Sequence, residues 1–291
     1  MFRKLRKELG NIAKLRCEVE QLRYAIGSIE AEKVCREWPF REFKVFSQWG
    51  EDGILQALIH NLDICEKRFI EFGVQNYTES NTRFLLMHDN WEGLVIDGSS
   101  ENIDYIQKDD IYWRYTLTAV CKFVTAENIN DIFLENGFQG RIGILSVDVD
   151  GVDYWIWKAI TVVQPDIVVC EYNHLFGTAR AVTVPYDDGF TREKAHFSCL
   201  YWGASIRAFT LLAEQKGYSL VAGNSNGNNI FFVRNELLND IVKKRSIEEC
   251  FVQAKFRDSR SENGKLAFIT LDEAKSLIQD LPLVDVAASM I

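Results

Sequence analysis

Residues 144–160, ILSVDVDGVDYWIWKAI, decide how the rest of the chain reads. The stretch opens as an apolar run, sets carboxylates at Asp148, Asp150 and Asp153, then turns apolar and aromatic. A short apolar run closed by acids and a glycine reads as a buried strand, a turn and the start of a helix. Working outward, the same grammar recurs. KRFIEFGV closes on Glu71 and Gly73, GLVIDG on Asp97, and QPDIVVCEYN on Glu171. Helix-like segments follow these runs: TESNTRFLLMHD, with Thr78 or Ser80 as candidate cap, and SSENIDYIQK. YTLTAV reads as a further strand, leading into a helix through TAENINDIFLENG. Strands alternating with helices of this length predict an α/β fold, a doubly wound and mostly parallel sheet covered on both faces. YSLVAGN and NNIFFVRN read as an antiparallel C-terminal hairpin that closes the sheet.

Residues 1–38 follow another pattern. Leu5, Leu9 and Ile12 lead to Leu15, Val19, Leu22, Ile26 and Ile29, in alternating steps of four and three with one extra step of three after Ile12. That is an apolar seam with a single stammer, so a long N-terminal amphipathic or coiled-coil helix is expected. It can fold back on its own domain, self-associate into a homo-oligomer, or lie on a membrane through its basic first turns. Trp38-Pro39 is expected to end it. Residues 43–240 form the sheet domain, and residues 241–291 a C-terminal extension packed on it. Between Glu171 and the helix GASIRAFTLLAEQKG, the long polar segment HLFGTARAVTVPYDDGFTREKAHFSCLYW suggests a lid.

Composition narrows the partners. With 33 basic and 42 acidic residues, net charge −9, the chain lacks the basic surface that nucleic acid requires. Seven cysteines without a C-x-x-C pair suit neither a disulfide framework nor a zinc site and point to a reducing, cytoplasmic setting. No apolar segment approaches the roughly 20 residues of a transmembrane span.

In an open parallel sheet, ligands bind beyond the carboxyl ends of the strands. The pattern therefore gathers Glu71, Asp97, Asp148 and Glu171 on one rim, where like charges need a cation, ribose hydroxyls or helix N-termini to stay ionised. Gly73 allows close backbone approach to a ligand, and Asp97 offers an acceptor for ribose hydroxyls; either can also serve only the local turn. Val74, Gln75 and Asn76 replace the later glycines of a dinucleotide loop, so the phosphate cradle is missing. An adenosine cofactor without pyrophosphate fits better, S-adenosylmethionine above all.

Taken in order, FSQWGEDGIL, RFIEFGVQNYTESNTRFL, GLVIDGSSENI and ILSVDVDGVDYWIWKAI resemble the FkbM-type S-adenosylmethionine-dependent methyltransferases, over about residues 46–234. TVPYDDGF, YWGASI and KGYSLVAGNSNGNNIFFVRN look like the branch that modifies sugars and capsular polysaccharides. The resemblance implies a class I methyltransferase (Rossmann-like) sheet and O-methylation of a sugar hydroxyl, on a nucleotide-linked sugar or a surface-polysaccharide precursor. It implies that Glu71 and Gly73 line the methionine end of the cofactor, Asp97 holds the ribose, Gly98 and Ser99 approach the adenosine, and Gln48 closes over it. Tyr77 stands where many such proteins have a second glycine.

SVDVDG is also similar to the acidic stretch of metal-dependent sugar O-methyltransferases. That similarity implies Asp148, Glu171 and Asn173 as oxygen ligands for Mg²⁺ or another divalent cation, which takes such hard donors. A sugar hydroxyl needs a base or a metal to be deprotonated. Asp150 and His174 are the candidate bases, with His196 in reserve, although Asp150 and Asp153 could instead cap the following helix and His174 could serve packing. The alternative to an enzyme is a catalytically inactive methyltransferase-like binding module, assembled through its N-terminal helix.

Overall fold

The computed structural model describes residues 2–34, 41–256 and 258–287, without the side chains of residues 2–7, 9 and 13. The expected stop at Trp38-Pro39 lies outside the described residues.

Helix α1 runs Phe2–Val34 and packs on α2, Glu51–Asn61. The alternation then unfolds as β1 (Arg68–Phe72), α3 (Arg83–His88), β2 (Glu92–Asp97), α4 (Ser100–Lys108), α5 (Asp110–Arg114), β3 (Leu117–Cys121) and α6 (Ile129–Glu135). It continues through β4 (Gly140–Val147), α7 (Asp153–Ala159) and β5 (Val163–Glu171). After the expected lid, with its short β6 (Val182–Thr183) and α8 (Arg192–Ala195), come α9 (Ile206–Gln215), β7 (Tyr218–Gly223) and β8 (Asn229–Arg234). The extension adds α10 (Ile247–Cys250), α11 (Leu271–Ile278) and β9 (Val284–Asp285).

The sheet order is β3-β2-β1-β4-β5-β8-β7. β1 to β5 pair parallel, and β8 runs antiparallel to both β5 and β7. This is the doubly wound, mostly parallel seven-stranded sheet with an antiparallel C-terminal hairpin that the alternation predicts. Order reverses between β1 and β4, which makes the crevice beyond Phe72 and Val147 the place for a ligand.

The strands read as unbroken apolar runs because both faces are covered. Ile70, Phe72, Leu94, Ile96, Leu145, Val147, Val168 and Cys170 point into one core, with α6, α7 and α9. Their alternating neighbours Phe69, Val95, Ile144, Ile167 and Val169 point into the other, with α2, α3 and α4. The period of two is that of a pleated strand. Glu71 and Ser146 break it as polar residues on the second face.

Two expected caps differ. Helix α3 begins later than the Thr78 or Ser80 start, with Thr82 as its first flanking residue. The Ser80 hydroxyl accepts the Arg83 N–H at 3.2 Å, while the Thr82 hydroxyl is drawn to Glu71. The lid is not structureless, because β9 returns from the C-terminal extension to pair with β6.

Candidate active site

The rim is built from the β1 loop outward. Gly73 has φ +75°, and a Cβ there would lie 1.8 Å from the Asp148 carbonyl oxygen. Only glycine allows both the left-handed backbone and this approach, so the β1 loop rests directly on the end of β4. Gln75 and Tyr77 in the same loop also have positive φ, +49° and +61°. Tyr77 thus adopts a left-handed backbone of the kind that favours glycine. Its ring turns into the core, where its hydroxyl lies 3.0 Å from that of Thr82. A bulky residue held at positive φ stores strain of order 1–3 kcal/mol. Burial of the ring offsets it.

Glu71 does not present a free carboxylate to the rim. Its oxygens accept the N–H groups of Asn81 and Thr82 at 2.9 and 3.1 Å, and the Thr82 hydroxyl. Burial pushes its pKa up, against these hydrogen bonds. Asp97 ties two loops together: one oxygen accepts the Gln75 N–H at 2.7 Å, the other the Ser99 N–H at 2.8 Å and the Asn102 amide at 2.9 Å. A carboxylate accepts about four hydrogen bonds, so Asp97 retains acceptor capacity beside the exposed Gly98. Ser99 caps α4.

The turn after β4 is organised from below by Asp153. Its two oxygens accept the Val149 and Gly151 N–H groups at 2.7 and 2.9 Å, and burial pushes its pKa up to about 6. That grip holds Asp150 at φ +54°. Asp148, Asp150 and Glu171 then converge, with carboxylate oxygens within 4.8 Å of one another. Burial first, then the neighbouring acids, hold Asp148 and Glu171 well above the usual carboxylate range. Among the described residues, one cation faces them. Arg192 from the lid pairs with Asp150 at 2.5 Å and with Asp258 of the extension at 2.5 Å. Three hard oxygen donors that repel one another, with a single guanidinium between them, fit a divalent ion.

Asn173, expected as the third ligand, is committed elsewhere. Its Nδ2 donates to the Leu200 and Trp202 carbonyls, both at 3.0 Å, and its Oδ1 accepts the Leu175 N–H at 3.0 Å. The buried amide holds the lid, and Asp150 takes the third corner. His174 also stands apart. Its Nδ1 meets Gln253, its ring packs edge-on against Phe256, and it lines a separate 220 Å³ cavity beneath the extension. Burial pushes its pKa down to about 4. His196 bonds to Ser198 at 2.7 Å inside the lid. Tyr201 and Trp202 are buried, and Tyr201 donates to the Pro282 carbonyl.

Gln48 is exposed and joins the cluster through Asn228, whose amide reaches both Gln48 and Glu171 at 3.4 Å. Asn224 and Asn229 of the same hairpin clamp buried Glu51 at 2.6 and 3.0 Å. This Asn-rich turn, NSNGNN, has no place in the expected site, although its composition marks a tight hairpin loop. Beside the cluster opens a 550 Å³ cavity lined by Asp150, Arg192, Phe197, Cys199, Asp258 and Arg260.

No protein-family model and no curated protein matches the chain. Among solved structures, the N-terminal domain of EvdMO1 with SAH bound is 12% identical, with a TM-score of 0.43 over 75% of this chain and 96% of that one. The CurJ carbon methyltransferase is 12% identical, with a TM-score of 0.41 over 64% and 52% of the two chains. A putative caffeoyl-CoA O-methyltransferase from Staphylococcus aureus is 13% identical, with a TM-score of 0.40 over 63% and 82%. At these values the likeness assigns no residue a role, and the fold rests on the chain's own strand order.

Proposed function

We propose that the chain is an S-adenosylmethionine-dependent O-methyltransferase acting on a sugar hydroxyl, of a nucleotide-linked sugar or a surface-polysaccharide precursor. The observation that carries this reading is the meeting of the Gly73 loop, Asp97 and the three-carboxylate cluster at the switch point of the sheet, beside a cavity that Asp150 enters.

In this reading Asp97 and the Ser99 turn hold the adenosine ribose, and the Gly73 loop flanks the methionine end. S-adenosylmethionine supplies an electrophilic methyl group whose sulfonium charge disappears on transfer. Acids packed on the sulfur would favour the reactant over the transition state, which agrees with Glu71 spending its oxygens on Asn81 and Thr82. Asp148, Asp150 and Glu171 would hold a divalent ion, whose Lewis acidity lowers the pKa of a bound hydroxyl. Asp150 is the member of the cluster that lines the cavity, with its side chain half exposed, and accepts the hydroxyl proton. Arg260 on the cavity wall gives the phosphates of an activated sugar a guanidinium partner. Alignment of acceptor oxygen and methyl group can supply roughly 7–11 kcal/mol of the barrier reduction.

The test is calorimetry with S-adenosylhomocysteine, then labelled-methyl transfer to a panel of nucleotide sugars with Mg²⁺ or EDTA. Binding, and turnover that EDTA abolishes, are expected. Asp148→Asn should lower turnover by about 10²-fold or more while S-adenosylhomocysteine still binds. Absence of binding would reject the enzyme in favour of a binding module, and turnover that survives EDTA would remove the metal.

A further inference from the structure

The N-terminal helix carries two apolar faces, and its own domain covers one. Glu20, Tyr24, Gly27, Ala31 and Val34 form the docked face. Gly27, Ala31 and Val34 are buried, Glu20 pairs with buried Arg83 at 2.5 Å, and Tyr24 meets the ring of Phe84 edge-on. A Cβ on Gly27 would come within 2.3 Å of the Val45 side chain, so the glycine lets α1 seat closely. The other face consists of Ile12, Leu15, Val19, Leu22, Ile26 and Ile29, each 47–63% exposed. At 100° per residue the two faces lie about 130° apart around the helix. The domain therefore hangs on the back of α1 and leaves the seam open.

We propose that a second copy of this chain covers the seam, as a parallel two-stranded coiled coil in register. From Ile12 onward the steps are three, four, three, four, three, a strict a/d heptad. The a positions are β-branched (Ile12, Val19, Ile26) and the d positions are Leu15, Leu22 and Ile29. β-branched a with leucine-rich d favours two parallel strands. The flanking charges agree. In a parallel pair each g residue faces e of the partner's next heptad, so Glu18 meets the partner's Arg23, twice by symmetry. The other such pairs are Asn11 with the partner's Arg16 and Ala25 with the partner's Glu30, and none places like charges together. An antiparallel pair overlapping the whole seam flanks e with e and brings Arg16 beside the partner's Arg23. Glu18 and Arg23 stay exposed beside their existing contacts, Glu18 to Lys14 and Arg23 to the Val45 carbonyl. The arrangement is independent of the methyl-transfer reading, because the seam faces away from the domain.

The experiment is light scattering coupled to size exclusion on the full-length protein, at tens of micromolar. Wild type should elute at twice the 33.5 kDa of one chain. The double variant Leu15→Glu/Leu22→Glu, at positions exposed in one protomer, should halve that mass and leave S-adenosylhomocysteine binding and far-UV circular dichroism as in wild type. Glu18→Arg should weaken the dimer several-fold, and adding Arg23→Glu should restore it. Leu22→Cys should cross-link to itself on oxidation, beyond any wild-type background, because only a parallel register sets position 22 against itself; the antiparallel overlap sets it against the partner's Val19. A wild-type monomer overturns the proposal, as does a dimer that persists in the double variant. Absence of the cross-link overturns the parallel register. A monomer that cosediments with anionic phospholipid vesicles assigns the seam to a membrane surface instead.

Discussion

Gly73 shows how much one residue can decide. Its left-handed backbone and the 1.8 Å approach of a built Cβ to the Asp148 carbonyl leave no room for a side chain. Gly73→Ala should cost at least about 3 kcal/mol in urea unfolding, from strain and overpacking together, and should weaken S-adenosylhomocysteine binding. An alanine variant as stable as wild type would mean the loop does not rest on β4 as described. The need for a glycine there was legible in E-F-G-V at a strand end. The fate of Tyr77 was not, since sequence records the substitution but not that a buried ring can hold a glycine-like φ. Asn173 teaches the same point: its residue type suits a metal, but its amide is consumed by carbonyls 27 and 29 residues away.

At the level of elements, the β4–α7 turn and the lid act together. Asp153 fixes the turn that raises Asp150, and Arg192 of α8 reaches back 42 residues to hold it. The guanidinium supplies the positive charge that the acids require, so it competes with any divalent ion. Arg192→Ala should tighten Mn²⁺ binding several-fold, measured by titration calorimetry, while lowering the metal-free melting temperature because Asp150 and Asp258 lose their shared partner. Unchanged Mn²⁺ affinity would argue that the ion does not use Asp150. The extension contributes through helices whose starts were written in the chain: Ser246 with Glu249 and Thr270 with Glu273 are capping boxes. S-x-x-E and T-x-x-E were the available signals. They were too short to predict that Val252 would accept the Tyr172 hydroxyl or that Asp258 would brace the lid.

Across the whole molecule, buried acids set the response to pH. Burial raises Asp52 and Asp153 to about 6 from the ordinary 3.8, despite the N–H groups each accepts. A carboxyl whose folded pKa exceeds its unfolded value binds more protons when folded between the two. Stability therefore falls as pH rises through that window, from about 4 to about 6, by roughly 3 kcal/mol for each such group. Asp148 and Glu171 are raised as well and add in the same sense. The melting temperature should be higher near pH 5 than near pH 8, and Mg²⁺ should restore more of it at pH 8, where the cluster is ionised. A midpoint that rises from pH 5 to pH 8 without metal would contradict the burial of these acids.

The sequence by itself determined the α/β alternation, the strands buried on both faces, the acids at their ends and the seam of the first helix. These are periodic or local features, and a period of two or three and a half is carried by near neighbours. Only the tertiary structure decided which acids meet. The corner expected of Asn173 went to Asp150, Arg192 became the counter-charge, and Asn228 joined Gln48 to Glu171 across 180 and 57 residues. Those choices depend on which carbonyls, amides and guanidinium groups folding brings within hydrogen-bond reach, and buried polar groups take partners wherever the chain supplies them.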